Sequence, residues 1–505
     1  MPFEPSVNTQ SYKLQKTLTT QKVDLPVNIM SNGVVVKQVL SINALPNINN
    51  VITTNGNADI SGGAVIKVLV LDADKQYKLL EENINFNAHI SDADIIDETK
   101  IYAVASLNEV KNIIASENSV SFNVVISVDS YLIKNQTINY VQSLSPDVCQ
   151  KTCQHEFLDV NYSTSQNFDV INEVNLPNSI SSVLLSSGSA IVEDCKTSTD
   201  VITLSGKVFA SVVYLTNEEV PKLKTQDYVL DYTQEILANS VLQDDSVVAQ
   251  VKLNNIIAEV QGELNSSKGV LSLKSNILVN AFTTRKSSIE VLEDAFCPKY
   301  ELIPENTSYT NQNYLTESFN EKIDGNLSLT DDVRIDKILC VSHSYITHNI
   351  TKDKDNQTTI NGVVYANVIY QLDDDNLTTG AILAEIPFTK TFSYQNIGSI
   401  STIISVKEIE ARSKRVKDID IQVAISIMLN YSQNVENNIV SNITLGKKIE
   451  EVNKPMGVYI VSGAESLWEV SKLLKVSPSI ITAQNPNLTF PITQPTNILV
   501  YRQNI

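Results

Sequence analysis

Lys207–Leu215 reads KVFASVVYL, and Val363–Gln371 reads VVYANVIYQ. Neither run alternates. Apolar residues fall on both faces of an extended chain drawn through it, as they do in a central strand covered on two sides. Each run is entered through a glycine, Gly206 or Gly362, and a third glycine, Gly62, precedes the related run AVIKVLVLD. These glycines lie 144 and 156 residues apart, a domain-sized separation. Glycine at a strand entry allows a bulge or a close backbone approach. One place in each run stays polar, at Lys67, Ser211 and Asn367. A solvent-facing position on one strand is the plainer expectation there, and a rim or turn of the next unit is the alternative.

The similarity extends in both directions. Segments starting at Val36, Ile180 and Ile335 each open with an apolar-rich strand, cross a polar turn and reach the glycine. A second strand group follows in each copy, with examples SVSFNVVISVDSYLI from Ser119, GVLSLKSNILVNAFT from Gly269 and IDIQVAISIMLNYS from Ile419. Here the pattern alternates, with Phe122, Val124, Ile126 and Val128 on one face at period two. Each unit therefore reads as two similar hairpin-like halves, which predicts a two-layer β-sandwich. The predicted units cover 15–145, 155–298 and 310–447, after an N-terminal extension over 1–14. The stretches SPDVCQKTCQH and CPKYELIPENTSYTNQN, rich in proline and polar residues, read as linkers. The arrangement resembles tandem SPOCS (DUF3794) repeats of sporulation proteins from clostridia and bacilli.

The 505 residues are too many for one core. With 42% hydrophobic and 19% charged residues the chain has ordinary globular composition. A formal net charge of −19 repels phosphate backbones, so no nucleic-acid partner is expected. No run approaches the ~20 apolar residues of a membrane-spanning helix. The N-terminus shows no basic region followed by an apolar one, so a start in the cytosol, or exit by a route without a cleaved signal, is expected. Five cysteines at irregular spacing make no disulfide framework. Cys149, Cys153 and His155 form the only cluster, and they lack the spacing of a four-ligand site; incidental thiols are the plainer reading.

Beyond the repeats, LWEVSKLLKV carries Leu467, Trp468, Val470, Leu473 and Leu474 at helical spacing. Ser477 reads as the N-cap of a second helix, Pro478 as its first residue, and Asn485-Pro486 as its end. Strands over Val458–Val461 and TNILVY flank the helices. This βααβ order over 455–503 resembles a LysM domain. The resemblance implies a glycan groove between the turn after the first strand and the loop before the last. Ala464, Glu465 and Ser466 stand where Gly-Asp-Thr is usual, and Pro495-Thr496 where Gly-Gln is. A Cβ at Ala464 disfavours positive φ and close approach, and Pro495 removes a donor. Trp468, the only tryptophan, reads as core of this small unit, with sugar stacking as the alternative.

No nucleophile elbow, HExxH or phosphate loop appears, so no enzyme activity and no cofactor are expected. His343 and His348 read as exposed polar positions, Asp373–Asp375 as a solvated turn, and ARSKRVK as an exposed hairpin tip. The resemblances imply a mainly β spore coat adaptor at the forespore surface, in the mother-cell cytoplasm and later the coat. The implied partners are the coat basement-layer ATPase and other coat proteins. The LysM surface around Ala464, Glu465, Ser466, Trp468, Asn485 and Pro486 is the expected contact site. Peptidoglycan binding at the cortex or wall is one rival. Self-assembly into a surface layer or fibre through unpaired strand edges is the other.

Overall fold

The computed structural model describes residues 4–145, 147–176, 180–261, 270–329, 334–353, 357–394, 396–414, 417–449, 456–463 and 465–501. The chain is mainly β. In its first third, β1 (Ser6–Thr17), β2 (Gln21–Met30), β3 (Val36–Thr54), β4 (Asn57–Asp72), β5 (Tyr77–Ser91), β6 (Ile101–Ser116) and β7 (Ser119–Ser143) form two antiparallel sheets. One has the order β3-β4-β5; in the other, β7 pairs with β1, β2 and β6. Their facing sides share one core, with Ile66 and Val68 from β4 against Val124 and Ile126 from β7.

The next two thirds repeat this plan. They comprise β8 (Cys149–Asn175), β9 (Ile180–Ser198), β10 (Val201–Thr216), β11 (Leu223–Leu237), β12 (Ser246–Gln261) and β13 (Val270–Phe296), then β14 (Tyr300–Ser328), β15 (Ile335–Lys352), β16 (Gln357–Leu372), β17 (Thr379–Ser393), β18 (Ile397–Ser413) and β19 (Asp418–Lys448). Their sheets run β11-β10-β9 and β12-β13-β8, then β15-β16-β17 and β14-β19-β18. Each pair of sheets has its own core. The chain ends in β20 (Met456–Val461), α1 (Leu467–Leu474), α2 (Pro478–Gln484) and β21 (Thr496–Tyr501), with β20 and β21 antiparallel.

Three expectations change. Most of the residues in the stretches read as linkers, from Cys149 and from Tyr300 on, belong to β8 and β14, and the supposed N-terminal extension holds most of β1. Each is an edge strand along its whole length, pairing with β13, β19 and β7. An edge strand keeps one side open, so polar residues and Pro304 sit in it without breaking the ladder. Gly269, Arg415 and Val416, named in the segments above, lie outside the described residues.

The polar slot is not solvent-facing. Asn367 is buried, and the Lys67 side chain is only 13% exposed beside Glu81. Both share the strand face of Leu69 and Ile369. That face does not meet the unit's own core. Leu69, Val213 and Ile369, spaced as the three glycines are, meet in one cluster with Leu40, Leu184 and Cys340. The second apolar face of each central strand is therefore buried against the other two units. A second closed contact forms among the edge strands. The rings of Tyr12, Phe157 and Tyr309 pack pairwise at centroid distances of 5.3, 4.9 and 6.3 Å. Backbone groups join the same strands: Lys13 N–H donates to Asp159, Leu158 N–H to Asn311, and the Tyr12 hydroxyl to the Thr310 carbonyl.

The three glycines have a common cause. Phe86, Tyr232 and Phe388 sit directly opposite Gly62, Gly206 and Gly362 and lay their rings over them. A Cβ on Gly206 would stand 2.0 Å from the Ile191 carbonyl oxygen and 2.7 Å from the Tyr232 hydroxyl. Gly206→Ala is therefore expected to destabilise the chain by about 1–3 kcal/mol in chemical unfolding. Gly63→Ala, whose Cβ would meet nothing nearer than 3.5 Å, is expected to be neutral or slightly stabilising.

Candidate functional site

The C-terminal unit gathers every residue singled out as a contact site. Its α1 starts at Ser466, whose hydroxyl accepts from the Glu469 N–H while the Glu469 carboxylate accepts from the Ser466 N–H, a reciprocal capping box. Before it, the Glu465 carboxylate accepts from Gly463 N–H at 2.7 Å and from the Ser462 hydroxyl at 2.6 Å. The Ser462 hydrogen bond holds that carboxyl below its usual range. Gly463 takes φ of 111°, which only glycine adopts freely. Asn485 closes the other side: its amide N–H₂ donates to the carbonyls of Ile481 and Leu499, and its oxygen accepts from the Leu499 N–H. Glu465, Ser466 and Asn485 are thus committed to the unit's own loops. Pro486 is exposed, and Ala464 lies outside the described residues.

Trp468 departs from the expectation that it packs the small core. That core consists of Val461, Val470, Leu474, Ile481, Ile498 and Val500 with their neighbours, and Trp468 is not among them. Leu467, Val470 and Leu474 already define the inward stripe of α1, and residue 468 lies about 100° round the helix from 467. Its indole N–H instead donates to Asp294 at 2.9 Å, and its ring packs 5.3 Å from Phe296. Lys472 Nζ lies 2.7 Å from both Asp294 oxygens. The C-terminal unit is therefore docked on the end of β13. Burial pushes the Asp294 carboxyl up, but the hydrogen bonds from Lys472 and Trp468 outweigh it and leave the group below the usual carboxylate range.

The opposite face of the unit carries residues that the sequence reading passed over. Met456, Val458 and Ile460 are exposed and alternate with the more covered Gly457, Tyr459 and Val461 of β20, and Ile460 is 78% exposed. Tyr501, Leu499 and Asn497 stand across from them on β21. The helices cover only one face of this two-stranded sheet, so the other remains open. The unbroken apolar run in MGVYIV was the available signal: in a two-stranded sheet backed on one side, half of such a run must face outward.

Elsewhere the candidates are separate. His155 Nδ1 lies 2.9 Å from the Tyr309 hydroxyl, and Cys153 packs beside the aromatic cluster. Among the described residues no three His, Cys, Asp or Glu converge as metal ligands. Asp374 caps its own turn by accepting from the Thr378 N–H. His348 is exposed, as expected, whereas His343 is half-buried; both line a cavity where the three units meet, and burial lowers His343 to about 4. The reason is that the outer face of β15, like that of β16, is covered by neighbouring units.

No protein-family model matches this chain, and no curated protein matches it. The docking at Asp294 can be read directly through the chain's only tryptophan. Asp294→Ala is expected to red-shift Trp468 emission. In the unaltered chain the contribution of the lowered carboxyl is complete above its unfolded value of about 4 and lost as pH falls through the folded one. The same red shift should thus appear only below about pH 4.

Proposed function

We propose that this chain is a non-enzymatic assembly protein. In this reading three β-sandwich units of the SPOCS kind present a LysM-like unit that binds protein. The carrying observation is the division of labour on the C-terminal unit. Its single tryptophan is withdrawn against Asp294 and Phe296, while Met456, Val458 and Ile460 offer an open apolar strip. A glycan reader needs hydrogen-bonding groups left free in its groove. Here the groove-side polar groups of Glu465 and Ser466 hold the loop together. An open apolar strip suits a protein surface with its own apolar anchors. The net charge of −19 also disfavours an anionic wall polymer as the main partner.

Together with the family resemblance, this points to coat assembly at the forespore surface, with the coat basement-layer ATPase as partner. The full chain and its Val458→Asp/Ile460→Lys variant would be titrated against that purified ATPase, with peptidoglycan sedimentation run in parallel. Binding of the unaltered chain, weakened more than tenfold in the variant, is the expected result. Equal binding by both chains, or sedimentation with peptidoglycan that N-acetylglucosamine oligomers compete away, would overturn the reading.

A further inference from the structure

The junction of the three units frames a half-open cavity of about 180 Å3. Its walls repeat. β3, β9 and β15 contribute four-residue stretches beginning at Asn43, Ser187 and His343, and β6, β12 and β18 supply the remainder. The chemistry does not repeat. Asn43 and Ser187 pair with Lys67 and Ser211, but the partner of Asn367 is Ser342, so His343 stands one place on, where the other copies have Ala44 and Gly188. Lys252 on β12 has Ser106 and Ser405 at the matching places on β6 and β18. If the walls served packing alone, nothing would call for a lysine and a histidine in one copy each.

Three polar side chains face this space with hydrogen-bonding capacity unmet. Lys252 Nζ donates to the Pro46 carbonyl at 2.6 Å and to the Ala105 carbonyl, which leaves one of its three N–H groups over. His343 Nε2 and Thr402 Oγ1 are buried and have no partner among the described residues. Orphaned buried groups of this kind are costly, and a bound acceptor removes the cost. Much of the rest of the wall is apolar, including Leu45, Leu107, Leu253, Ile346 and Ile404. Asp129, the cavity's one carboxylate, is exposed and accepts from Thr20, so it does not neutralise Lys252 from within.

We propose that this cavity binds a small carboxylate with a compact apolar body, its oxygens accepting from Lys252, His343 and Thr402. An apolar cavity of ~150 Å3 takes a benzene-sized molecule, so the space suits an aromatic or short branched acid. The site is independent of the C-terminal unit and of what that unit binds. Burial lowers the Lys252 amine to about 7, so its charge at neutral pH is partial and a bound anion would draw a proton onto it. The other titratable groups lining the cavity are His343, His348, Tyr345 and Asp129.

The test uses benzoate as probe on the full chain, with benzyl alcohol as the uncharged control, read by calorimetric titration at pH 6 and pH 9. Benzoate is expected to bind at least tenfold more tightly at pH 6 than at pH 9, and at least tenfold more tightly than benzyl alcohol at pH 6. Lys252→Met should remove that preference. Thr402→Val deletes an unpartnered hydroxyl without changing shape, so it should keep the fold and weaken benzoate at least threefold. No binding by the unaltered chain, equal binding of acid and alcohol, or unchanged benzoate affinity in Thr402→Val would each overturn the proposal.

Discussion

Leu69, Val213 and Ile369 meet where the central strands β4, β10 and β16 turn their outer faces toward one another. Each strand already buries its inner face in the core of its own unit. A unit pulled away would expose a strand face built for the interior, at about 1.5–3 kcal/mol for each large aliphatic side chain returned to water. The aromatic trio of Tyr12, Phe157 and Tyr309 closes a second three-way contact among the edge strands. Three units that resemble beads on a string in the sequence are thus parts of one closed arrangement. The central cavity, the burial of His343 and the reach of Lys252 to unit-one carbonyls all follow from that closure.

Much of this was legible in the sequence because it depends on local periodicity. The glycine-led runs, their two-sided apolar character and the alternating second strand group each marked a strand that the structure contains. The cap at Ser477 was equally local, since the bonds of a helix start are made within four residues. What could not be read was which surface covers the second face. Lys67, Ser211 and Asn367 look like ordinary exposed positions when one unit is considered alone. Polar alternation in β8 and β14 looks like a linker until the partner strand is known. His343 lies in a stretch whose exposure depends on two other units.

The candidate contact site shows the same limit. Glu465, Ser466 and Asn485 were singled out by the LysM resemblance, but their side chains hold the loops of the C-terminal unit together. Trp468 lies off the inward stripe of α1, and only the tertiary position of Asp294 and Phe296 explains where its ring goes. Its docking also orients the unit. With one side held on β13, the strip of Met456, Val458 and Ile460 remains open.

Small-angle X-ray scattering of the full chain tests the closed arrangement most directly. A compact body of 505 residues has a radius of gyration of about 23 Å. A value between about 23 and 26 Å, unchanged from low to high salt because the junction is apolar, is the predicted result. A value above about 32 Å would mean that the units are strung out, and would contradict the junction on which the fold and the central cavity depend.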